Sequence, residues 1–241
     1  LPKSHIPGET KEQRKIRKRQ EKNKTVSATP IEKEYHPQIE INRDESVAFV
    51  LGNGTSRKPI DVKELRPYGK IYGCNGLYRE FSPDHLIAVD TKMIKEISGK
   101  SYQMNHQVWT NPNRYTREVP RLNLFNPNLG WSSGPSALML ASTHVYKTIY
   151  ILGFDYEGIG LRKELVNNVY AGTENYKREN ERATYFGNWA RQTATCIKKH
   201  NTIKYIRVVE DQNSFVPETL SGLINLTHIT VDLFKKRFNL L

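Results

Sequence analysis

Apolar residues are sparse at the start of this chain and then arrive in short blocks separated by polar stretches. Between Gly8 and Pro30 the sequence is charged, with Ile16 and Val26 among its few apolar positions. From Ser46 the pattern changes. Val47–Leu51 is an unbroken apolar run, the signature of a strand buried on both faces. Lys70–Cys74, Leu86–Asp90, Ser101–Met104, Gln107–Thr110 and Thr148–Gly153 read as further strands, and Ile203–Val209 as the last parallel one. The segment Asp61–Leu65 predicts a helical turn or two. A helix over Lys92–Ile97 is capped by Thr91 and stopped by Gly99. Gly134–Tyr146 predicts a helix whose body of Ala137, Leu138, Leu140, Ala141 and Val145 suits close packing on a sheet. A third helix is expected from Arg178 to Lys199. Its stripe of Ala183, Phe186, Ala190, Thr193, Ala194 and Ile197 follows the i, i+3, i+4 spacing. Residues 111–133 read as an irregular excursion and 155–177 as a long polar loop. The stretch from Pro217 to Phe238 mixes small helical pieces with a strand-like Leu226–Val231.

Strands separated by helices predict an α/β fold: one Rossmann-like domain over residues 45–241, its mainly parallel sheet flanked by helices. Residues 1–44 form an extended basic N-terminal arm. Ligands in such folds bind beyond the carboxyl ends of the strands. That rule gathers Gly52–Ser56, Cys74-Asn75, Asp90, Gly153–Asp155 and Glu210-Asp211 along one edge.

Charge refines the picture. The 241 residues carry 37 basic and 25 acidic side chains, a net +12, and residues 11–24 alone contribute eight basic against two acidic. Such a surface attracts phosphate-bearing partners, so the arm is expected to engage nucleic acid or a protein assembly. Among the 241 residues no apolar run approaches the roughly 20 residues of a membrane helix, and the basic N-terminus lacks the apolar core of a signal peptide. The expected location is cytoplasmic or within a virion. Two cysteines, Cys74 and Cys196, make neither a disulfide framework nor a zinc site.

The densest chemistry follows the first strand: Gly52-Asn53-Gly54-Thr55-Ser56. Glycines bring backbone amides close to an anion, and the hydroxyls add donors. Three later phrases join it: Cys74-Asn75 within Tyr72–Tyr78, Trp131-Ser132-Ser133-Gly134 opening the small-residue helix, and Ile149–Tyr156 closing on Gly153-Phe154-Asp155-Tyr156. In order and spacing these resemble the bacterial, Campylobacter-type α-2,3-sialyltransferase family and its wider Rossmann-like superfamily, which includes archaeal pterin pyrophosphokinases. The resemblance covers residues 46–157. It implies a glycosyltransferase-like protein that binds a nucleotide sugar, a CMP-sugar foremost, with Asn53 at the phosphate or ribose and Asn75 at the nucleotide or its sugar. It implies that Ser132, Ser133 and Gly134 receive a carboxylate or phosphate, and that Asp155 and Tyr156 lie by base and ribose. Gly52, Gly54 and Ser56 complete the implied set.

The sequence also departs from that family. Glu157 stands where the family has a tyrosine aimed at the leaving phosphate, and residues 156–190 contain none of the histidine that serves as the family's base. His144, on the preceding helix, is read as packed or exposed. The catalytic candidates are therefore Asp155 and Glu157 as proton acceptors and Tyr170 as a donor to the leaving phosphate, with Tyr156 and Tyr176 in the same capacity. Asp155-x-Glu157 also has the spacing of a divalent-ion site. The favoured reading has no tightly bound cofactor, a nucleotide sugar as donor substrate, and magnesium only as the alternative, in a pyrophosphokinase-like phosphotransferase. The other class is a catalytically inactive transferase scaffold acting as a structural or nucleic-acid-associated component of a large assembly such as a virus particle.

Overall fold

Val47–Leu51 forms β1, and alternation sorts its side chains onto two faces. Ala48 and Val50 join one core, Phe49 and Leu51 the other. The computed structural model describes residues 46–144 and 146–240; the basic arm, its residues 11–24 and Val145 lie outside the described residues. Eight strands follow in chain order: β1, β2 (Lys70–Cys74), β3 (His85–Ile87), β4 (Val108–Thr110), β5 (Leu122–Leu124), β6 (Thr148–Leu152), β7 (Lys204–Val209) and β8 (Leu226–Thr230). They make one sheet in the order β5-β4-β3-β2-β1-β6-β7-β8. Every pairing is parallel. The strand order reverses direction between β1 and β6, where Val47 registers with Thr148 and Leu51 with Leu152. A Rossmann-like α/β architecture is thus the fold of the described residues.

Five helices are present among the described residues: α1 (Thr91–Gly99), α2 (Arg114–Glu118), α3 (Ser133–Thr143), α4 (Gly187–Lys199) and α5 (Val231–Phe238). On one face, Ala137, Leu138 and Ala141 of α3 and Ala190, Ala194 and Ile197 of α4 pack with Ala48, Val50, Tyr72 and Ile149. On the other, Val231, Phe234 and Phe238 of α5 pack with Phe49, Leu51, Tyr150 and Ile206. A third cluster sets Met93, Ile94 and Ile97 of α1 against Leu86 and Val108. Small residues on α3 let a helix lie close over the central strands, which places its N-terminus at the carboxyl ends of β1 to β3. Among the described residues no helix is long and apolar enough to cross a membrane.

Several expectations are corrected. Ser101–Met104 is no strand: Ser101 turns the chain at φ 54° and Tyr102–Met104 is a 3-10 turn. The excursion at 111–133 contains α2 and the edge strand β5. Asn113 and Thr116 cap α2 reciprocally, a capping box without the usual acidic partner. α4 begins at Gly187 rather than near Arg178. Residues 181–183 instead pair with 164–166, Val166 N–H donating to Glu181 O at 3.0 Å and Ala183 N–H to Glu164 O at 2.7 Å. That cross-loop ladder outcompetes the helix, so Ala183 and Phe186 precede it. β7 is not the last parallel strand, since β8 continues the sheet. The N-cap of α1 is Asp90 rather than Thr91. The helical turn or two expected at Asp61–Leu65 is present, as a 3-10 helix over Val62–Tyr68 with Asp61 at its N-cap.

Candidate functional site

The sheet's switch point opens into a cleft of about 420 Å³. Gly52, Asn53, Gly54, Asn75, Ser132, Ser133, Gly134, Asp155, Tyr156 and Glu157 all line it, so four separated segments do converge. A second lobe of about 540 Å³ adjoins it and shares Asn75, Asp90, Asn168 and Trp189 as common wall. Ser56 and Tyr170 line neither lobe. Glu210 lies in a small separate hollow with Ser56, and Asp211 is tied into a turn by Asn213 and Ser214.

The glycines earn their place differently from the expectation. Gly52 N–H donates to Leu152 O at 2.8 Å and Gly54 N–H to Gly153 O at 2.9 Å. Thr55 N–H donates to Asn167 Oδ1 at 2.8 Å and Ser56 N–H to Asp155 Oδ2 at 3.1 Å. These amides are spent within the protein and cannot cradle an anion. The glycines are needed for close approach: a Cβ on Gly52 would lie 2.5 Å from Gly153 O, and one on Gly54 would lie 2.4 Å from Asp155 Oδ2. Gly153, at φ +67°, makes the complementary left-handed bend.

Three catalytic candidates are likewise engaged elsewhere. The Asp155 carboxylate accepts from both the amide and the hydroxyl of Ser56, clamping the ends of β1 and β6 together. Glu157 pairs with Lys163 at 3.3 Å, and its carbonyl accepts from Asn167 Nδ2 at 3.0 Å. Tyr170 sits behind the turn, where its hydroxyl donates to Glu80 and accepts from Arg57 Nη2 at 2.9 Å. Arg57, itself buried, also donates to Gly52 O at 2.9 Å. Tyr156 holds a left-handed backbone at φ 60°, rare for an aromatic residue, with its ring under Arg207 and its hydroxyl donating to Thr193 at 2.8 Å. Burial raises the pKa of both tyrosines. Of the Asp155-x-Glu157 pair, Asp155 is taken up by Ser56, while Glu157 faces the exposed Lys163, so the pair offers a divalent ion one uncommitted carboxylate rather than two. Among the described residues no group of three His, Cys, Asp or Glu could hold a metal. His144 ends α3 and bonds Tyr72 within a Tyr72–His85–Tyr146 cluster outside the cleft. Burial pushes the Cys74 thiol up to about 12 and Cys196 up to about 11, so neither supplies a thiolate near neutrality.

The groups left uncommitted define what the cleft can hold. Asn53 is nine-tenths buried; its Nδ2 donates to Cys74 O and to Tyr176 Oη, both at 3.3 Å, while its Oδ1 has no donor. Such an orphaned acceptor costs about 1–3 kcal/mol unless a ligand fills it. At the start of α3 no side chain caps the helix, and Ser132 N–H is taken by Gln192 Oε1 at 3.1 Å. The amides of Ser133 and Gly134 belong to the first turn, which has no intrahelical acceptor. The Ser133 hydroxyl accepts from Val89 N–H at 3.1 Å and donates to Asn75 Oδ1 at 2.9 Å, so it orients Asn75 rather than a ligand. Tyr176 Oη accepts from Gly76 N–H at 2.8 Å as well as from Asn53. Burial raises its pKa, so it keeps its proton to donate.

Sequence reasoning left out Asn167, Asn168, Trp189 and Gln192. Asn167 anchors the long loop onto the turn, and Val169 N–H adds a bond to Asn53 O at 2.8 Å. Nothing distinguishes these asparagines from their neighbours in an Asn-rich loop. No family model, curated protein or solved structure matches this chain.

Proposed function

We propose that this protein is glycosyltransferase-like and that its cleft binds a nucleotide sugar, a CMP-sugar foremost. The observation that carries the reading is the pairing of an orphaned, buried Asn53 Oδ1 with an uncapped helix N-terminus in one cleft at the switch point. Asn53 Oδ1 accepts from a ribose hydroxyl or a base amine. The amides of Ser133 and Gly134, with the α3 dipole and the Ser132 hydroxyl, hold the phosphate or the sugar's carboxylate. Tyr176, which lines the adjoining lobe, accepts from Asn53 Nδ2 and so fixes the amide whose Oδ1 is left for the ligand. The phosphate-binding role moves from the Gly52–Ser56 amides to α3, and the catalytic roles leave Asp155, Glu157 and Tyr170.

Isothermal titration with CMP, CDP, UDP and GDP tests this. A dissociation constant below millimolar is expected for CMP or CDP, and Asn53→Ala should weaken it at least ~10-fold, about 1.4 kcal/mol. Trp189 lies in the cleft wall, so binding should quench its fluorescence, and Trp189→Phe should abolish that part of the signal. Failure of all four nucleotides to bind below millimolar concentration sinks the reading. A scaffold without turnover, serving in a large assembly, is the second reading. The internal engagement of Asp155 and Tyr170 favours it, and its signature is nucleotide binding with neither transfer nor hydrolysis.

A further inference from the structure

Resting on that nucleotide-sugar reading, we infer that Asp90 is the residue that takes the proton from the acceptor, and that the second lobe is the acceptor site for a saccharide hydroxyl. Asp90 stands at the carboxyl end of β3, at the N-cap of α1. An aspartate there ordinarily accepts from an amide of the first turn. This one makes no such bond, and among the described residues its carboxylate has no hydrogen-bond or ion-pair partner. It is exposed, and it lines both lobes. Of the other two carboxylates on the cleft wall, Asp155 is clamped by Ser56, and Glu157 pairs with the exposed Lys163 and lines the first lobe but not the second. A base must reach donor and acceptor at once, and Asp90 is the acidic side chain on the shared wall. The second lobe carries the amides of Asn75, Asn168 and Asn175, the rings of Trp189 and Phe186, and Lys92 on its rim. One atom of each amide is bonded within the protein, to Ser133, Tyr170 N–H and Glu96, which leaves Asn75 Nδ2, Asn168 Nδ2 and Asn175 Oδ1 for a ligand. Amides that match sugar hydroxyls beside rings that stack on sugar faces make a carbohydrate site. In the transfer, the acceptor oxygen bonds the anomeric carbon as its proton passes to Asp90. The bond from that carbon to the phosphate oxygen breaks, and its electron pair leaves with the nucleoside phosphate.

The test compares wild type with Asp90→Asn in two assays. Titration with CMP reads the donor lobe. Release of CMP from CMP-N-acetylneuraminic acid, in water alone and with a panel of methyl glycosides, reads turnover. Asp90→Asn should bind CMP within about 2-fold of wild type, melt at the same temperature, and lose ~10²–10⁴-fold in turnover, the range for a general base. In Asp90→Ala, added formate should restore part of the rate. Full turnover by Asp90→Asn overturns the inference and leaves the nucleotide-sugar reading standing. So does a wild type that binds CMP but neither hydrolyses nor transfers. A wild type that binds no nucleotide overturns both, and does so without reference to the variant.

Discussion

Gly54→Ala is expected to destabilise the protein by about 3 kcal/mol or more, at the severe end of overpacking. The new methyl carbon would lie 2.4 Å from Asp155 Oδ2 and 2.5 Å from Asp155 Cγ. The carboxylate cannot swing away cheaply, because Ser56 holds both of its oxygens. In a domain of this size such a loss lowers the melting temperature by roughly 6–12 °C. Asp155→Ala alone removes the Ser56 clamp and also costs stability. Combined with Gly54→Ala it relieves the collision, so the double variant should be more stable than the sum of the two losses by at least about 1 kcal/mol. Urea denaturation of the four proteins measures that coupling. A loss under 1 kcal/mol for Gly54→Ala would show that the ends of β1 and β6 are not so close.

Glu96→Gln has the second-largest expected effect, and it depends on pH. The Glu96 side chain is 3% exposed. Burial alone would raise its pKa, but donors from Arg79, Tyr78, Asn175 and Lys100 bring it down to about 2. Arg79 Nη2 lies 2.6 Å from Glu96 Oε2, and Asn175 Nδ2 lies 2.7 Å from the same oxygen. A carboxylate with a depressed folded pKa contributes its stability in full above the unfolded value of about 4.3, and loses it as pH falls toward 2. The contribution is roughly 3 kcal/mol at pH 7 and about half that at pH 3. Glu96→Gln should therefore be less stable than wild type by ~2–4 kcal/mol at pH 7, and the gap should shrink markedly at pH 3. Denaturant melts at the two pH values test this, and a gap that does not shrink on acidification would refute it. Arg79 also holds Thr173 and the Glu174 carbonyl, next to Tyr176. Nucleotide binding should weaken in the same variant, because the network positions that hydroxyl.

Most of the sheet was legible in the sequence because central strands carry their own signal. Val47–Leu51, Lys70–Cys74 and Thr148–Gly153 are apolar runs buried on both faces, and all three lie where expected to within a residue. β5 was invisible: Leu122, Asn123 and Leu124 form a three-residue edge strand, partly buried throughout, too short for its single alternation to stand out. The long helix was read too early because Ala183 and Phe186 fit its stripe. Backbone pairing across the loop, which no side-chain pattern encodes, decided its start.

The site was legible as a set of segments and less so as chemistry. The convergence of Gly52–Gly54, Asn75, Ser132–Gly134 and Asp155–Glu157 follows from strand ends alone. Which groups remain free does not. Ser56 and Asp155 satisfy each other from positions 99 residues apart, and Tyr170 and Glu80 do so from 90 apart. Such reciprocal engagement removes residues from the reactive set, and it arises only in the folded chain. Asp90 was placed on the right edge by the strand rule. Its availability became visible only when its capping bond proved to be missing.

The neighbour relation at the heart of the sheet has a kinetic consequence. β1 pairs with β6, whose residues follow about a hundred positions later along the chain. During synthesis, the first strand must wait beside β2 with one hydrogen-bonding edge bare until Thr148–Leu152 leaves the ribosome. Pairing over that separation demands costly loop closure and slows folding. The interval exposes a flat, apolar strand edge to other nascent chains. Co-translational aggregation should therefore rise sharply for fragments ended before residue 148, and fall once β6 and β7 are both present.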